Sequence, residues 1–176
     1  MSKQKLDLLK LDKVPTWITQ DNIEKMKSND FQQIVRFFVI NTPDKITSAR
    51  GIEIAEYGYD DEEELFNELI GNIPCQKKNQ SIEKTDLTEV NMLNFPPTDM
   101  KESMCFAVSN NKPVTSLFIK IRDSLAHGRF NIGGSPKMPY LVMEDINKSD
   151  NCSARIILKI KTLKSWIKKL EGGNHE

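Results

Sequence analysis

Within one short stretch, Ile121-Arg122-Asp123-Ser124-Leu125-Ala126-His127-Gly128, the chain places a guanidinium, a carboxylate, a hydroxyl and an imidazole. Those groups suit cleavage of RNA by its own 2′-hydroxyl. Such cleavage needs a base for the 2′-hydroxyl proton, an acid for the leaving oxygen and a cation for the charged phosphorane. Histidine fills either proton role near neutral pH. Arginine holds two phosphate oxygens at once. Asp123 and His127 stand four apart, so they are neighbours on a helix surface. A carboxylate there favours the protonated imidazole and can fix its tautomer. Ser124, three before His127, is within reach of it too. Arg122 precedes His127 by five and is well separated from it around an ideal helix. The two serve one site if the long arginine reaches around, if the helix end is irregular at Ala126-His127-Gly128, or if a second copy brings another pair into the same cleft. Arg129 follows directly and can add a phosphate contact. The same spacing has a plainer meaning. A histidine can simply cap a helix C-terminus, where its positive form is favoured, with Asp123 as a salt-bridge partner.

The element that must carry these groups is a helix opened by Pro113, a residue favoured at the first helical position, and ended by Gly128. At about 100° per residue, Val114, Leu117, Phe118, Ile121 and Leu125 form the core stripe. Arg122, Asp123 and His127 fall on the opposite side, which Thr115, Ile119 and Ala126 share. A bulky isoleucine and a small alanine on that side predict a cover, either another helix of the chain or a second subunit.

Upstream, Asp30 with Gln33 reads as a capping box for a helix over Phe31 to Ile40, extending one begun near Asn22 and ended by Pro43. A second helix is expected from Lys45 to Tyr57. A third is capped by Asp60 and closed by Gly71 and Pro74. Residues 75 to 85 read as a polar loop. Asp86 with Glu89 opens a short helix stopped by Pro96 and Pro97. Asp99 with Glu102 opens another, through about Ser109. Downstream, Tyr140 to Ile146 and Ala154 to Ile160 flank the turn-rich Asn147-Lys148-Ser149-Asp150-Asn151 and predict a β-hairpin. A last amphipathic helix carries Leu163, Trp166, Ile167 and Leu170 on one face. The expected fold is mainly α, a helical bundle with one late β-hairpin. Residues 1–171 read as a single domain and residues 172–176 as a disordered tail.

The 176 residues balance 25 basic against 25 acidic side chains, so any nucleic-acid contact must come from a local patch. Arg155, Lys159, Lys161, Lys164, Lys168 and Lys169 form a basic stretch without an acid among them. It can grip RNA backbone or merely face solvent. Glu53 to Glu68 is an acidic block, read as a solvated helix start, with docking of a basic partner as the other possibility. Cys75, Cys105 and Cys152 are far apart and form no CxxC pair, which suits free thiols in a reducing cytoplasm. No cofactor and no metal site is expected, and His127 has no ligand-spaced neighbours. No apolar run is long enough to span a membrane, and Met1 to Leu11 does not read as a signal peptide. The expected location is cytoplasmic.

The segment from Ile121 to Gly128 resembles the Arg-polar-x3-His motif of the HEPN superfamily, with Asp123 as the polar residue. Gly128-Arg129-Phe130, a loop, a hairpin and the Thr162-Leu163-Lys164-Ser165-Trp166-Ile167 helix are similar to HEPN proteins of plasmid and phage-defence loci. The resemblance covers roughly Val114 to Leu170. It implies an all-helical, usually dimeric bundle and a metal-independent endoribonuclease serving as a toxin or abortive-infection effector. It gives Arg122 and His127 the catalytic roles and Asp123 a supporting one. RNA, a second copy of the chain and an antitoxin protein are the implied partners. Arg129, Arg155, Lys159, Lys161 and Lys164 are the candidate RNA contacts. The competing reading is a non-catalytic HEPN module that binds RNA, a nucleotide or a protein.

Overall fold

A computed structural model describes residues 6–41 and 59–172. Its centre is a five-stranded mixed sheet: β1 (Cys75–Asn79), β2 (Ser103–Val108), β3 (Phe130–Ser135), β4 (Met138–Ile146) and β5 (Cys152–Lys159), in spatial order β1-β2-β5-β4-β3. β1 and β2 are parallel and the other pairs are antiparallel. The expectation of a mainly helical bundle with one hairpin is therefore wrong, and the fold is α/β. The predicted hairpin is real, as β4 and β5, and it forms the middle of the sheet.

Several local expectations fail for the same reason. The segment after Asp99, expected to be helical, is β2. Its run Met104-Cys105-Phe106-Ala107-Val108 is buried throughout, because a central strand covered on both faces needs no polar alternation. A short buried strand and a short buried helix look alike by periodicity. Residues 75 to 85, expected to be a loop, contain edge strand β1. Its Lys77 and Lys78 pair with Glu63 and Asp86, and such charges suit an edge strand. The loop expected after Phe130 is β3.

Helices occupy one face of the sheet. They are α1 (Asn22–Met26), α2 (Asn29–Val35) running into a π turn at Arg36–Asn41, α3 (Glu62–Ile70), α5 (Pro113–Ala126) and α6 (Ile160–Gly172), while α4 (Lys84–Glu89) lies in the connection from β1 to β2. The caps differ in detail from those read in the sequence. Ser28, not Asp30, caps α2. Asp61, not Asp60, caps α3. Glu83 caps α4 in a reciprocal capping box with Asp86. The helix expected from Lys45 to Tyr57 lies outside the described residues.

The alternation of β2, β4 and β5 sorts the core into two halves. Met104, Phe106, Leu141, Met143, Ile156 and Leu158 meet Phe31, Phe38, Phe66, Leu117, Phe118, Ile121 and Trp166 on the helical face. Cys105, Ala107, Tyr140, Val142 and Ile157 meet Ile82, Leu87 and Met92 on the other, with Leu9, Leu11, Trp17 and Phe95 packed alongside. On α6, Leu163, Trp166, Ile167 and Leu170 are buried as the sequence predicts, and Trp166 Nε1 donates to the Leu69 carbonyl at 2.7 Å. The three cysteines are free thiols. Burial pushes each up to about 12, so they stay protonated.

Candidate functional site

Helix α5 begins at Pro113 and ends at Gly128 as its sequence predicts. Glu62 reaches its N-terminus from α3, accepting from the Thr115 hydroxyl at 2.6 Å and from the Thr115 amide. Val114, Leu117, Phe118, Ile121 and Leu125 are buried. This stripe fixes the roll of the helix against the sheet and so aims the polar side away from it.

The C-terminal end closes as a Schellman turn. Gly128 N–H donates to Leu125 O at 3.2 Å and Arg129 N–H to Ser124 O at 2.8 Å, with Gly128 in the left-handed region at φ +68°. His127 is the cap residue, at φ −93° and ψ 6°. The left-handed turn thus falls at Gly128, one residue past His127, whose own N–H still bonds to Asp123 O as in a regular helix. A Cβ on Gly128 would meet nothing within 4 Å, so Gly128→Ala carries only the backbone penalty, about 1 kcal/mol. A fall of that size in unfolding free energy, with unchanged denaturant slope, is the expected result in urea titration. No fall would mean that the turn relaxes.

Arg122 is half-buried and its Nη1 lies 2.7 Å from Asp123 Oδ1. Its Nε is buried without a hydrogen-bond partner in the protein. His127 is exposed. Among the described residues, no hydrogen bond joins the imidazole to Arg122, Asp123 or Ser124. Asp123 serves Arg122 instead, and Ser124 Oγ donates to Lys120 O at 2.8 Å. The supporting role expected for Asp123 therefore falls on the arginine in this conformation. A partly exposed ion pair of this kind contributes little, about 1 kcal/mol at most, so a phosphate can draw Arg122 away cheaply. The cover expected over Ile119 and Ala126 is only half present. Ile119 packs on the chain's own core and Ala126 is exposed.

The other candidate RNA contacts separate sharply. Arg129 and Arg155 are buried, at 3% and 6% exposure, and both hold Glu144. Arg129 Nη2 lies 2.6 Å from Glu144 Oε1, and Arg155 Nε and Nη2 each lie 2.9 Å from Oε2. Arg129 Nη1 also donates to the carbonyls of Asp12 and Lys13. Arg155 Nη1 donates to those of Met92 and Leu93. Neither is an exposed phosphate contact as expected, because both are committed to a buried carboxylate and to backbone. Lys159 pairs with Glu102 at 3.2 Å, and Lys164 pairs with Asp30. Lys161 and Lys168 are exposed, beside a groove of about 550 Å³ shared with Gln33 on α2 and with Lys164 and Ser165 on α6.

Two clusters were not anticipated from sequence. One is the Arg129–Glu144–Arg155 triad. The other joins Lys120 on α5 to Asp145 at 2.9 Å and Ser153 at 3.1 Å, with Ser153 Oγ 2.5 Å from the same Asp145 oxygen. It fastens α5 to the β4–β5 register shift next to Asp145 and Ile146. The signal for the first was present. Glu144 and Arg155 are opposite charges inside largely apolar strands, and the hairpin count places them across from one another.

Among the described residues, no three His, Cys, Asp or Glu side chains gather in a metal-binding cluster. No helix there is long and apolar enough to cross a membrane.

With this geometry, the chain falls in a class already suggested by its motif. The family model described as HEPN pEK499 p136 matches residues 4–172. The chain belongs to that HEPN family, and the match reaches well upstream of Val114, where the motif-based resemblance had stopped. Comparison with curated proteins and with solved structures finds no match.

Proposed function

We propose that this HEPN chain is a metal-independent endoribonuclease in which Arg122 and His127 act on the scissile phosphodiester. The observation that carries this reading is selective availability. In the motif, Arg122 and His127 combine suitable chemistry with access, with Asp123 beside Arg122, whereas Arg129 and Arg155 are locked in the core. His127 transfers the proton at the 2′-hydroxyl or at the leaving oxygen. Arg122, released from Asp123, holds the non-bridging oxygens as negative charge grows. A toxin or anti-phage effector is the role such an activity fits.

A single chain offers one imidazole at this helix end, and the reaction has two proton transfers. A homodimer that faces two α5 ends supplies the second. Support comes from apolar exposure nearby. Val14, 77% exposed, follows Lys13, whose carbonyl Arg129 holds. Ile23, 66% exposed, follows Asn22, which bonds to Phe130. Light scattering at micromolar concentration is expected to give the mass of a dimer, and Ala126→Glu to give a monomer. A monomeric wild type contradicts this arrangement.

The test of the activity uses purified chain and single-stranded RNA with excess chelator. Cleavage is expected to persist, and Arg122→Ala is expected to lower kcat and weaken RNA binding together. Activity abolished by chelator and restored by magnesium or manganese contradicts metal independence.

One feature favours the second reading, a non-catalytic module that binds RNA, a nucleotide or a protein. Much of the basic stretch is neutralised within the chain, through Lys159 with Glu102, Lys164 with Asp30, Lys169 with Glu68, and Arg155 with Glu144. Binding without cleavage across a broad RNA panel would select it.

A further inference from the structure

Arg129 lies two residues beyond His127 and is tied to residue 144 twice. Its carbonyl accepts from Glu144 N–H at 3.0 Å, and its guanidinium pairs with the Glu144 carboxylate at 2.6 Å. Its amide closes the Schellman turn on Ser124, and its Nη1 holds the Asp12 and Lys13 carbonyls at 2.8 and 2.7 Å. The N-terminal segment so held is anchored in its own right, through Leu11 N–H to Asp150 O and Cys152 N–H to Leu9 O. His127, by contrast, has a backbone bond to Asp123 O and no side-chain partner among the described residues. The place of the imidazole is therefore set through its Cα–Cβ bond, and the backbone that fixes that bond is held between α5 and residue 129.

We propose that Arg129 is a positioning residue for His127, acting through the Glu144 carboxylate and the Asp12 and Lys13 carbonyls. Its part in catalysis rests on the ribonuclease reading, while its part in placing the imidazole does not. A lysine at 129 can still pair with Glu144 but cannot span the carboxylate and both carbonyls, because it lacks the arginine fork. Arg155 is the internal control. It holds the same carboxylate with a similar fork, yet it lies on β5 rather than in the turn that follows α5, and its other anchors are the Met92 and Leu93 carbonyls. A merely structural role predicts equal consequences for the two arginines.

The experiment compares Arg129→Lys with Arg155→Lys in the full chain. The chain has two histidines, so the His127 imidazole resonances are assigned with His127→Ala. Arg129→Lys is expected to shift or broaden them and to lower kcat about 10- to 100-fold with little change in KM, since small misplacements of a reacting group have effects of that order. Arg155→Lys is expected to leave resonances and kcat close to wild type. Equal imidazole changes in both variants, or in neither, overturn the proposal. If wild type cleaves no RNA, the ribonuclease reading falls and the imidazole comparison still decides the clamp. If Arg129→Lys does not fold, hydrogen exchange in wild type decides. The amides of His127 and Arg129 are expected to exchange as slowly as that of Glu144, and fast exchange at His127 overturns the clamp.

Discussion

Replacing His127 with alanine is expected to lower RNA cleavage by about 10²–10⁴-fold, the range typical of a lost proton-transfer group. The fold should survive. His127 is exposed and contributes its backbone N–H, not its side chain, to the helix end. Alanine keeps that N–H, and Gly128 still supplies the left-handed turn. RNA binding should change little, because Arg122 is left in place. The measurement is initial cleavage rate on single-stranded RNA, with circular dichroism to confirm folding. Equal rates for variant and wild type would mean that the activity lies elsewhere.

The second large effect concerns stability. Glu144→Ala is expected to destabilise the chain by about 3–5 kcal/mol, as when one partner of a buried ion pair is removed. Glu144 is 3% exposed and is the carboxylate that Arg129 and Arg155 share. Without it, two buried guanidiniums face each other with only backbone carbonyls for partners. Against a total stability of about 5–15 kcal/mol for an ordinary domain, that loss brings the chain close to unfolding. Replacing the whole triad by apolar residues of similar volume should be far milder, because the desolvation cost of the ions disappears with their attraction. Chemical denaturation of both variants gives the comparison. A loss of less than about 1 kcal/mol in Glu144→Ala would show that the carboxylate is not the keystone of this face.

The helix that carries the candidate site was more legible than the sheet it packs on. Pro113, Gly128 and the spacing of Val114, Leu117, Ile121 and Leu125 are local signals, and they correctly bounded α5 and its buried stripe. The turn-rich Asn147 to Asn151 likewise marked the β4–β5 hairpin. β1 and β2 were missed because each is defined by partners distant in sequence, whereas β3, which turns directly into β4 after Ser135, carries Gly133 and Gly134, poor strand formers. Cys75 pairs with Met104, and Ser103 with Ile157. Nothing local separates Met104 to Val108 from one buried turn of helix. The roles of the cations were also misread from composition. Arg129 looks like a phosphate ligand because it follows His127, and Arg155 because it heads a basic stretch. Their burial follows from Glu144, which the pleat points to the same face as Arg155. Asp123, expected to support His127, is paired with Arg122 in the structure.

The most direct measurement is the chemistry of the product ends. Wild-type chain is incubated in chelator with a single-stranded RNA and with the same RNA carrying 2′-deoxyribose at each mapped cleavage position. If Arg122 and His127 promote attack by the neighbouring 2′-hydroxyl, the RNA yields fragments ending in 2′,3′-cyclic phosphate, and the deoxy-substituted positions stay intact. Cleavage at the deoxy positions, 3′-hydroxyl ends, or no cleavage on a broad RNA panel would contradict the proposed activity.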